Sequence, residues 1–146
     1  MGPPILAIDP GREKCGAAVL DQEKNVLWRG VVTTGDILAV SRELTRQYGL
    51  RTVVLGNQTH SGEVRENLQA LLDSQTVSEI VFADERGSTE TARFRYWQAF
   101  PPAGWRRFLP RGLLVPPCAI DDFAAIIIGE RFLAKKNKNF YKPAGI

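Results

Sequence analysis

Carboxylates occur at three places where the sequence also indicates the end of a strand or the start of a helix. The three acidic segments are Asp9, Asp84-Glu85 and Asp121-Asp122. Carboxylates that converge from separate segments repel one another strongly at low effective dielectric, and a hard divalent cation relieves that repulsion. The sequence offers no Cys/His set, so oxygen ligands favour Mg²⁺ or Mn²⁺ over zinc.

The first acidic residue ends a segment that is typical of a strand buried on both faces. Residues 5–8 are all apolar, Asp9 follows them, and Pro10-Gly11 then stops the strand. Gly11 and Gly16 carry no side chains, so we expect room for a bulky group beside the carboxylate. From this segment alone, Asp9 could equally be the opening residue of a turn, a common place for Asp.

Apolar spacing and turn residues predict five strands and four helices. Strands are expected at about 5–8, 15–20, 26–32, 51–56 and 78–83. Helices are expected at 36–48, closed by Gly49, and at 63–73, 90–99 and about 120–135. Residues 100–117 hold most of the prolines and are expected to form a long ordered loop or a short inserted helix.

These elements predict an α/β fold with a central five-stranded mixed sheet flanked by helices. Short turns join the first three strands into an antiparallel meander. Right-handed crossovers place the fourth and fifth strands parallel to the first, on the side away from the meander. The site of such a sheet lies at the carboxyl ends of its parallel strands, where Asp9 and the 84–85 pair both fall. The Ala-rich turn after 121–122 lets the last helix approach the sheet and bring its acids to the same edge.

The charge is distributed unevenly around a net value of +3. Residues 1–92 carry 9 Lys and Arg against 13 Asp and Glu, a net −4, whereas residues 93–146 carry 10 against 3, a net +7. Five aromatic residues are interleaved with the basic ones: Tyr96, Trp97, Trp105, Phe108 and Tyr141. Basic and aromatic side chains together suit a nucleic-acid backbone and its bases. A solvated basic face with the aromatic residues in the core is the alternative.

The histidine and the cysteines contribute little chemistry. We interpret His60, the single histidine, as an exposed loop residue, with Thr59 and Ser61 as minor candidates for a phosphate contact. Cys15 and Cys118 are too far apart in sequence for a disulfide framework or a metal spacing, and we expect both to pack in the interior.

Three motifs resemble those of one family over nearly the whole chain. They are Asp9-Pro10-Gly11 with Gly16, the run Asp-Glu-Arg-Gly-Ser-Thr at 84–89, and Asp121 followed by Ala124-Ala125. Together they resemble the YqgF (RuvX-type) family, ribonuclease H-like proteins described as Holliday junction resolvases or as nucleases that mature precursor small-subunit ribosomal RNA. The Asp-Glu-Arg motif is the most specific part of this resemblance.

The resemblance implies a metal-dependent nuclease in which Asp9, Glu85 and Asp121 are catalytic. These three acids would hold two Mg²⁺ or Mn²⁺ ions, with Asp122 as a further ligand candidate and Asp84 as a weaker one. Neighbouring strand residues point to opposite faces and neighbouring helix residues differ by about 100°, which favours one acid from each pair. In the implied two-metal hydrolysis, Asp9 bridges the ions, one ion activates water and the other stabilises the leaving oxyanion.

The chain departs from the family at two positions. Gly56-Asn57-Gln58 stands where the family usually has Gly-Leu-Pro, and Gly87 replaces the usual Leu after Asp-Glu-Arg. The first change alters the loop that would contact substrate. Like the family, the chain also lacks the strand-four carboxylate of the classical ribonuclease H nucleases, so its implied metal site is one acid short.

RNA or branched DNA is the expected partner. The candidate nucleic-acid contacts are Arg12, Lys14, Arg86, Arg93, Arg106, Arg107 and Arg111. We expect a single domain over 1–146 with a mobile basic C-terminal tail from about 136. Nothing in the sequence indicates export or a membrane, so a cytoplasmic location is expected. The oligomeric state stays open, with a homodimer as one alternative.

Two other functions are alternatives to the nuclease. A nucleic-acid-binding protein of the same fold without catalysis is the main alternative, although all three acidic segments are retained. An ATP-handling protein of the actin and sugar-kinase group also opens with a strand, an Asp and a Gly turn. Such proteins close two similar domains over the nucleotide, which a chain of 146 residues does not supply.

Overall fold

The computed structural model describes residues 2–57, 60–83 and 121–141, with side chains for all of these except 121–122 and 136–141. The strands are β1 (Ile5–Asp9), β2 (Lys14–Leu20), β3 (Val26–Thr33), β4 (Thr52–Gly56) and β5 (Glu79–Ala83). The helices are α1 (Ile37–Tyr48), α2 (Ser61–Asn67), α3 (Gln69–Asp73) and α4 (Asp121–Tyr141), and a 3₁₀ turn at Thr34–Asp36 precedes α1. The predicted helix at 90–99 and the segment 100–117 lie outside the described residues. None of the described helices is long and apolar enough to cross a membrane.

The five strands form one mixed sheet in the order β3-β2-β1-β4-β5. β1 pairs with β2, and β2 with β3, in antiparallel register, while β4 runs parallel to both β1 and β5. The predicted architecture, an antiparallel meander followed by two parallel strands on its far side, is therefore confirmed. The order follows from short turns at the start of the chain and helical crossovers after it.

β1 is the central strand and divides the core into two layers. Leu6 and Ile8 pack with the α1–α3 side, whereas Ile5 and Ala7 pack beneath α4. All four side chains are at most 1% exposed, which explains why the strand is a continuous apolar run rather than an alternating one.

The helix predicted at 63–73 is instead two short helices that meet at Leu68. At the end of α2, the Leu68 N–H donates to the Val64 carbonyl at 3.0 Å, which is the spacing of an α-helix. The Leu71 N–H instead donates to the Leu68 carbonyl at 2.9 Å, which is the shorter spacing of a 3₁₀ turn. The break brings Val64, Leu68 and Leu71 into one buried cluster. Apolar spacing alone does not distinguish this arrangement from a continuous helix.

α4 covers the opposite face of the sheet and is longer than expected. It continues to Tyr141 instead of ending near Lys135, so the predicted basic tail from about 136 begins as helix. A Cβ built on Gly129 would lie 2.9 Å from Leu20 Cδ1 and 3.1 Å from Ala7 Cβ. Gly129 therefore sets how closely α4 packs on β1 and β2, in addition to the buried residues Ala124 and Ala125.

Candidate active site

Asp9 is the last residue of β1 and lies at the edge of the sheet where all three parallel strands end. It is half-buried and opposite Gly16 of β2. The neighbouring parallel strands end at Gly56 and Ala83, which are register partners. Two strand spacings, about 10 Å, therefore separate the ends of β1 and β5. The predicted position of Asp9 at this carboxyl edge is confirmed.

The second acidic segment begins immediately after this edge. Ala83 is the last residue of β5 and is followed in sequence by Asp84 and Glu85. Both acids lie outside the described residues, as do five of the candidate nucleic-acid contacts: Arg86, Arg93, Arg106, Arg107 and Arg111. Their grouping with Asp9 stays a prediction.

The third acidic segment begins α4. Asp121 and Asp122 are its first two residues, and their side chains are outside the described part of the structure. Two residues later, the Phe123 ring lies under the guanidinium of Arg29 on β3, with Cζ 4.6 Å from the ring centroid. The first turn of α4 therefore lies towards the β3 side of the sheet. Among the described residues no group of three His, Cys, Asp or Glu side chains could hold a metal ion, so the three-carboxylate cluster stays a prediction.

A tight turn follows Asp9 and is fastened to the end of β3 by Thr34. The Thr34 hydroxyl donates to the Gly11 carbonyl at 2.9 Å, and the Thr34 N–H donates to the Glu13 carbonyl at 2.8 Å. The same hydroxyl lies 3.5 Å from Cys15 Sγ. Thr34 thus contacts both sides of the turn that carries the chain away from Asp9. Sequence reasoning missed this residue, because nothing in its type or spacing indicates the contact.

Gly11 is needed for the turn itself. A Cβ on this residue would collide with the Lys14 carbonyl oxygen, so backbone closure of the β1–β2 turn requires glycine here. Gly11 thus has a local steric role in the turn, and the expected room for a bulky group beside Asp9 stays a prediction.

The two described candidate nucleic-acid contacts lie on or beside this turn. Arg12 is exposed in the turn and Lys14, also exposed, begins β2. Both side chains are exposed to solvent and follow Asp9 closely in the sequence, so they can contact the phosphates of a nucleic acid that binds at this edge. Their contact with nucleic acid stays a prediction.

His60 and Cys15 are both at least partly buried in the fold. His60 precedes α2 with a left-handed backbone, φ 68°, and its Nδ1 lies 3.8 Å from Glu63 Oε2. Its side chain is 30% exposed, so it is half-buried rather than the exposed loop residue that we expected. Cys15 is fully buried, as expected of a packing residue, and Cys118 lies outside the described residues.

Solved structures with a similar fold are known. No family model matches the sequence, and no curated protein matches it. The mixed sheet with its flanking helices defines a ribonuclease H-like fold. The solved structures that share it include RuvC from Thermus thermophilus in complex with a Holliday junction substrate, at 15% identity and a TM-score of 0.60, covering 96% of this chain and 97% of that one. A second RuvC structure from the same organism is 14% identical, with a TM-score of 0.55 and coverage of 95% and 97%.

Proposed function

We propose that this protein is a Mg²⁺- or Mn²⁺-dependent nuclease that hydrolyses phosphodiester bonds in branched or structured nucleic acid. The observation that carries the proposal is the position of Asp9. It ends the central strand at the edge where β4 and β5 also end, and Asp84-Glu85 follows β5 directly in sequence. Carboxylates gathered at this edge of the sheet would supply the oxygen ligands that metal-assisted phosphodiester hydrolysis needs.

The donor chemistry of the candidate site fits a hard divalent cation. The proposed ligands are Asp9, Glu85 and Asp121, with Asp122 as a further candidate, and all of them offer carboxylate oxygens. When bound, the metal would lower the pKa of a coordinated water and neutralise charge at the phosphate.

The chain's own part is to fix the carboxylates and attract the substrate. β1 is buried on both faces and the turn after it is fastened by Thr34, so the backbone of Asp9 is held from both directions. The exposed cations Arg12 and Lys14 favour the approach of phosphates to this edge.

Branched DNA is the first substrate to test. RuvC, the protein whose fold this chain shares, has been seen with a Holliday junction substrate, and the basic charge of residues 93–146 suits a partner with many phosphates. Maturation of precursor ribosomal RNA, which the YqgF-type motifs imply, is the second substrate class. The same edge of the sheet would serve both.

Cleavage of a labelled four-way junction and of a structured RNA, with Mg²⁺ or Mn²⁺ and with chelator, tests the proposal. Asp9→Asn, Glu85→Gln and Asp121→Asn should each abolish cleavage while retaining binding. Asp73→Asn is the matched control, because Asp73 is an exposed carboxylate that ends α3 near the opposite edge of the sheet.

Two outcomes would contradict the proposal that this protein is a nuclease. Binding of nucleic acid without cleavage under any metal condition would favour the alternative, a catalytically inactive binding protein of the same fold. A protein that shows no binding at low salt and no cleavage would overturn the proposal altogether.

A further inference from the structure

A cleft of about 280 Å³ lies between the end of β5 and the second half of α4. Its lining includes Asn57 and Ala83 at the edge of the sheet and the cations Arg131 and Lys135 of α4. Ala83 packs against the apolar cluster to which α4 contributes most of its buried residues. The cleft therefore lies on the α4 face of the sheet, at the carboxyl edge where β5 ends.

Asp9 lies on the same face of the sheet as this cleft. Side chains alternate along a strand, so Asp9 shares the side of Ile5 and Ala7, which pack beneath α4. The ends of β1 and β5 are two strand spacings, about 10 Å, apart. The cleft is thus beside the candidate active site, although none of the residues named above as its lining is a proposed metal ligand.

Cations continue a line of apolar residues along one side of α4. Ala124 and Ile128 are buried on this side, and Arg131, Lys135 and Lys138 take its next positions, each three or four residues after the last. We call these three cations the cationic row. α4 stays helical beyond Lys138, so the row extends about 10 Å along the helix axis at about 1.5 Å per residue.

Two structural explanations do not account for the cationic row. Cations stabilise the C-terminus of a helix, but this effect is confined to the last turn, and Lys135 lies six residues before Tyr141, where α4 ends. Charges on a solvated helix face would lie away from the sheet. Arg131 and Lys135 instead line a cleft beside it.

The polar lining of the cleft suits an anion. Asn57 is exposed, and its backbone N–H donates to the Ala83 carbonyl at 3.1 Å, which holds it beside the end of β5. Its side-chain amide can donate to a phosphate oxygen. Among the described residues, no acid lines the cleft.

We propose that the cationic row and Asn57 bind the phosphate backbone of one substrate arm, a few nucleotides from the scissile bond. The inference rests on the proposed nuclease function and deepens it by assigning a path to that arm. One strand of a duplex advances about 3.4 Å per phosphate. The end of β5 therefore lies about three nucleotides from the end of β1, and the row can meet about three phosphates. Contacts of this kind position the substrate without reading its sequence.

An exchange of two neighbouring residues tests the position of the row without changing the net charge. Ala134→Lys combined with Lys135→Ala moves one cation by about 100° around the helix, and both positions are exposed. Anisotropy of a labelled four-way junction in chelator should show binding about 5-fold weaker than that of wild type near 0.1 M salt. The slope of log affinity against log salt should fall in magnitude by about one. Lys135→Ala alone should match the exchange.

Charge reversal with a matched control tests the row as a unit. Lys135→Glu with Lys138→Glu should lower the magnitude of the salt slope by about two or more. Arg42→Glu with Arg51→Glu makes the same change in net charge away from the row. Arg42 is exposed on α1, which covers the other face of the sheet, and Arg51 is exposed just before β4 begins. This control should keep the wild-type slope, and all variants should melt like the wild type.

The two proposals fail in different ways. The row is not a phosphate site if the exchange variant binds as tightly as wild type. The same holds if reversal at Lys135 and Lys138 weakens binding no more than its control does. In either case a wild-type protein that cleaves junctions leaves the nuclease proposal standing. A wild-type protein that neither binds nor cleaves nucleic acid would overturn the proposed function itself.

Discussion

The hydroxyl of Thr34 donates a hydrogen bond to the carbonyl of Gly11, 2.9 Å away, and thereby ties the end of β3 to the turn that follows Asp9. The two residues are 23 positions apart, and the bond is partly buried. Together with the Thr34 N–H bond to Glu13, it fixes the turn on which Arg12 lies. The position of the candidate catalytic carboxylate therefore depends on a residue outside the acidic segments.

Replacing Thr34 by Val keeps its shape and removes its hydroxyl. We expect the free energy of unfolding to fall by about 1 kcal/mol, because the Gly11 carbonyl loses its donor. We also expect metal-dependent cleavage to fall by a larger factor than stability alone explains, since the turn beside Asp9 loosens. Denaturant unfolding and cleavage rates of the same preparation measure the two effects.

Thr34→Ser is the control for this change, because it retains the hydroxyl and should restore cleavage. A Thr34→Val protein with wild-type cleavage at reduced stability would show that the bond only supports the fold.

The β2–β3 hairpin contains a carboxylate whose effect on stability depends on pH. Backbone and side-chain donors of Asn25, with the backbone N–H of Glu23, lower the pKa of Asp21 below its usual value of 3.8. A lowered pKa means that the ionised form favours folding, so the contribution is present above the unfolded pKa and is lost as pH falls through the folded pKa. Asp21→Asn should therefore be less stable than wild type at neutral pH, and the difference should shrink on acidification below about pH 4.

Thermal melts of both proteins from pH 7 to pH 2 check this prediction. A gap between Asp21→Asn and wild type that widens with acidification would contradict it.

The sheet could be predicted from the sequence because its strands are set by local signals. Apolar runs and short turns determine the meander, and the crossover rule then determines where β4 and β5 lie. The placement of Asp9 followed from the same reasoning. The break at Leu68 and the length of α4 did not, since apolar spacing fits a broken and a continuous helix equally well.

Contacts between distant segments could not be predicted in this way. Thr34 meets Gly11 only because β3 returns beside the β1–β2 turn, and Asn57 meets Ala83 only because β4 and β5 end in register. Neither residue carries a motif. The grouping of Glu85 and Asp121 with Asp9 rests on the family resemblance, and the described residues do not include those side chains.

Gly129 sets how closely α4 packs on the sheet. A double-mutant cycle with Leu20 can measure the energy of this close contact. Gly129→Ala places a methyl group 2.9 Å from Leu20 Cδ1, and overpacking of this kind costs about 1–3 kcal/mol. The better helix propensity of alanine offsets up to about 1 kcal/mol of this cost. Leu20→Ala removes the colliding group and leaves a cavity, so it should be destabilising alone.

The double variant should be more stable than the sum of the two single effects predicts, by about 0.5 kcal/mol or more. Urea unfolding of the four proteins gives the coupling energy. Additive effects would mean that another neighbour, such as Ala7, is responsible for the strain.

Asp9→Asn separates a catalytic carboxylate from a structural one. If Asp9 belongs to a cluster of like charges, neutralising it should leave the free energy of unfolding unchanged or raise it, because repulsion is relieved. The wild type should gain thermal stability as Mn²⁺ or Mg²⁺ is added, since a ligand that binds only the folded state shifts the folding equilibrium. Asp9→Asn should lose that gain together with cleavage. Melting curves with and without metal make both comparisons, with Asp73→Asn as the variant that should retain the shift. An Asp9→Asn protein that is severely destabilised without metal would instead indicate that the carboxylate mainly supports the turn after β1.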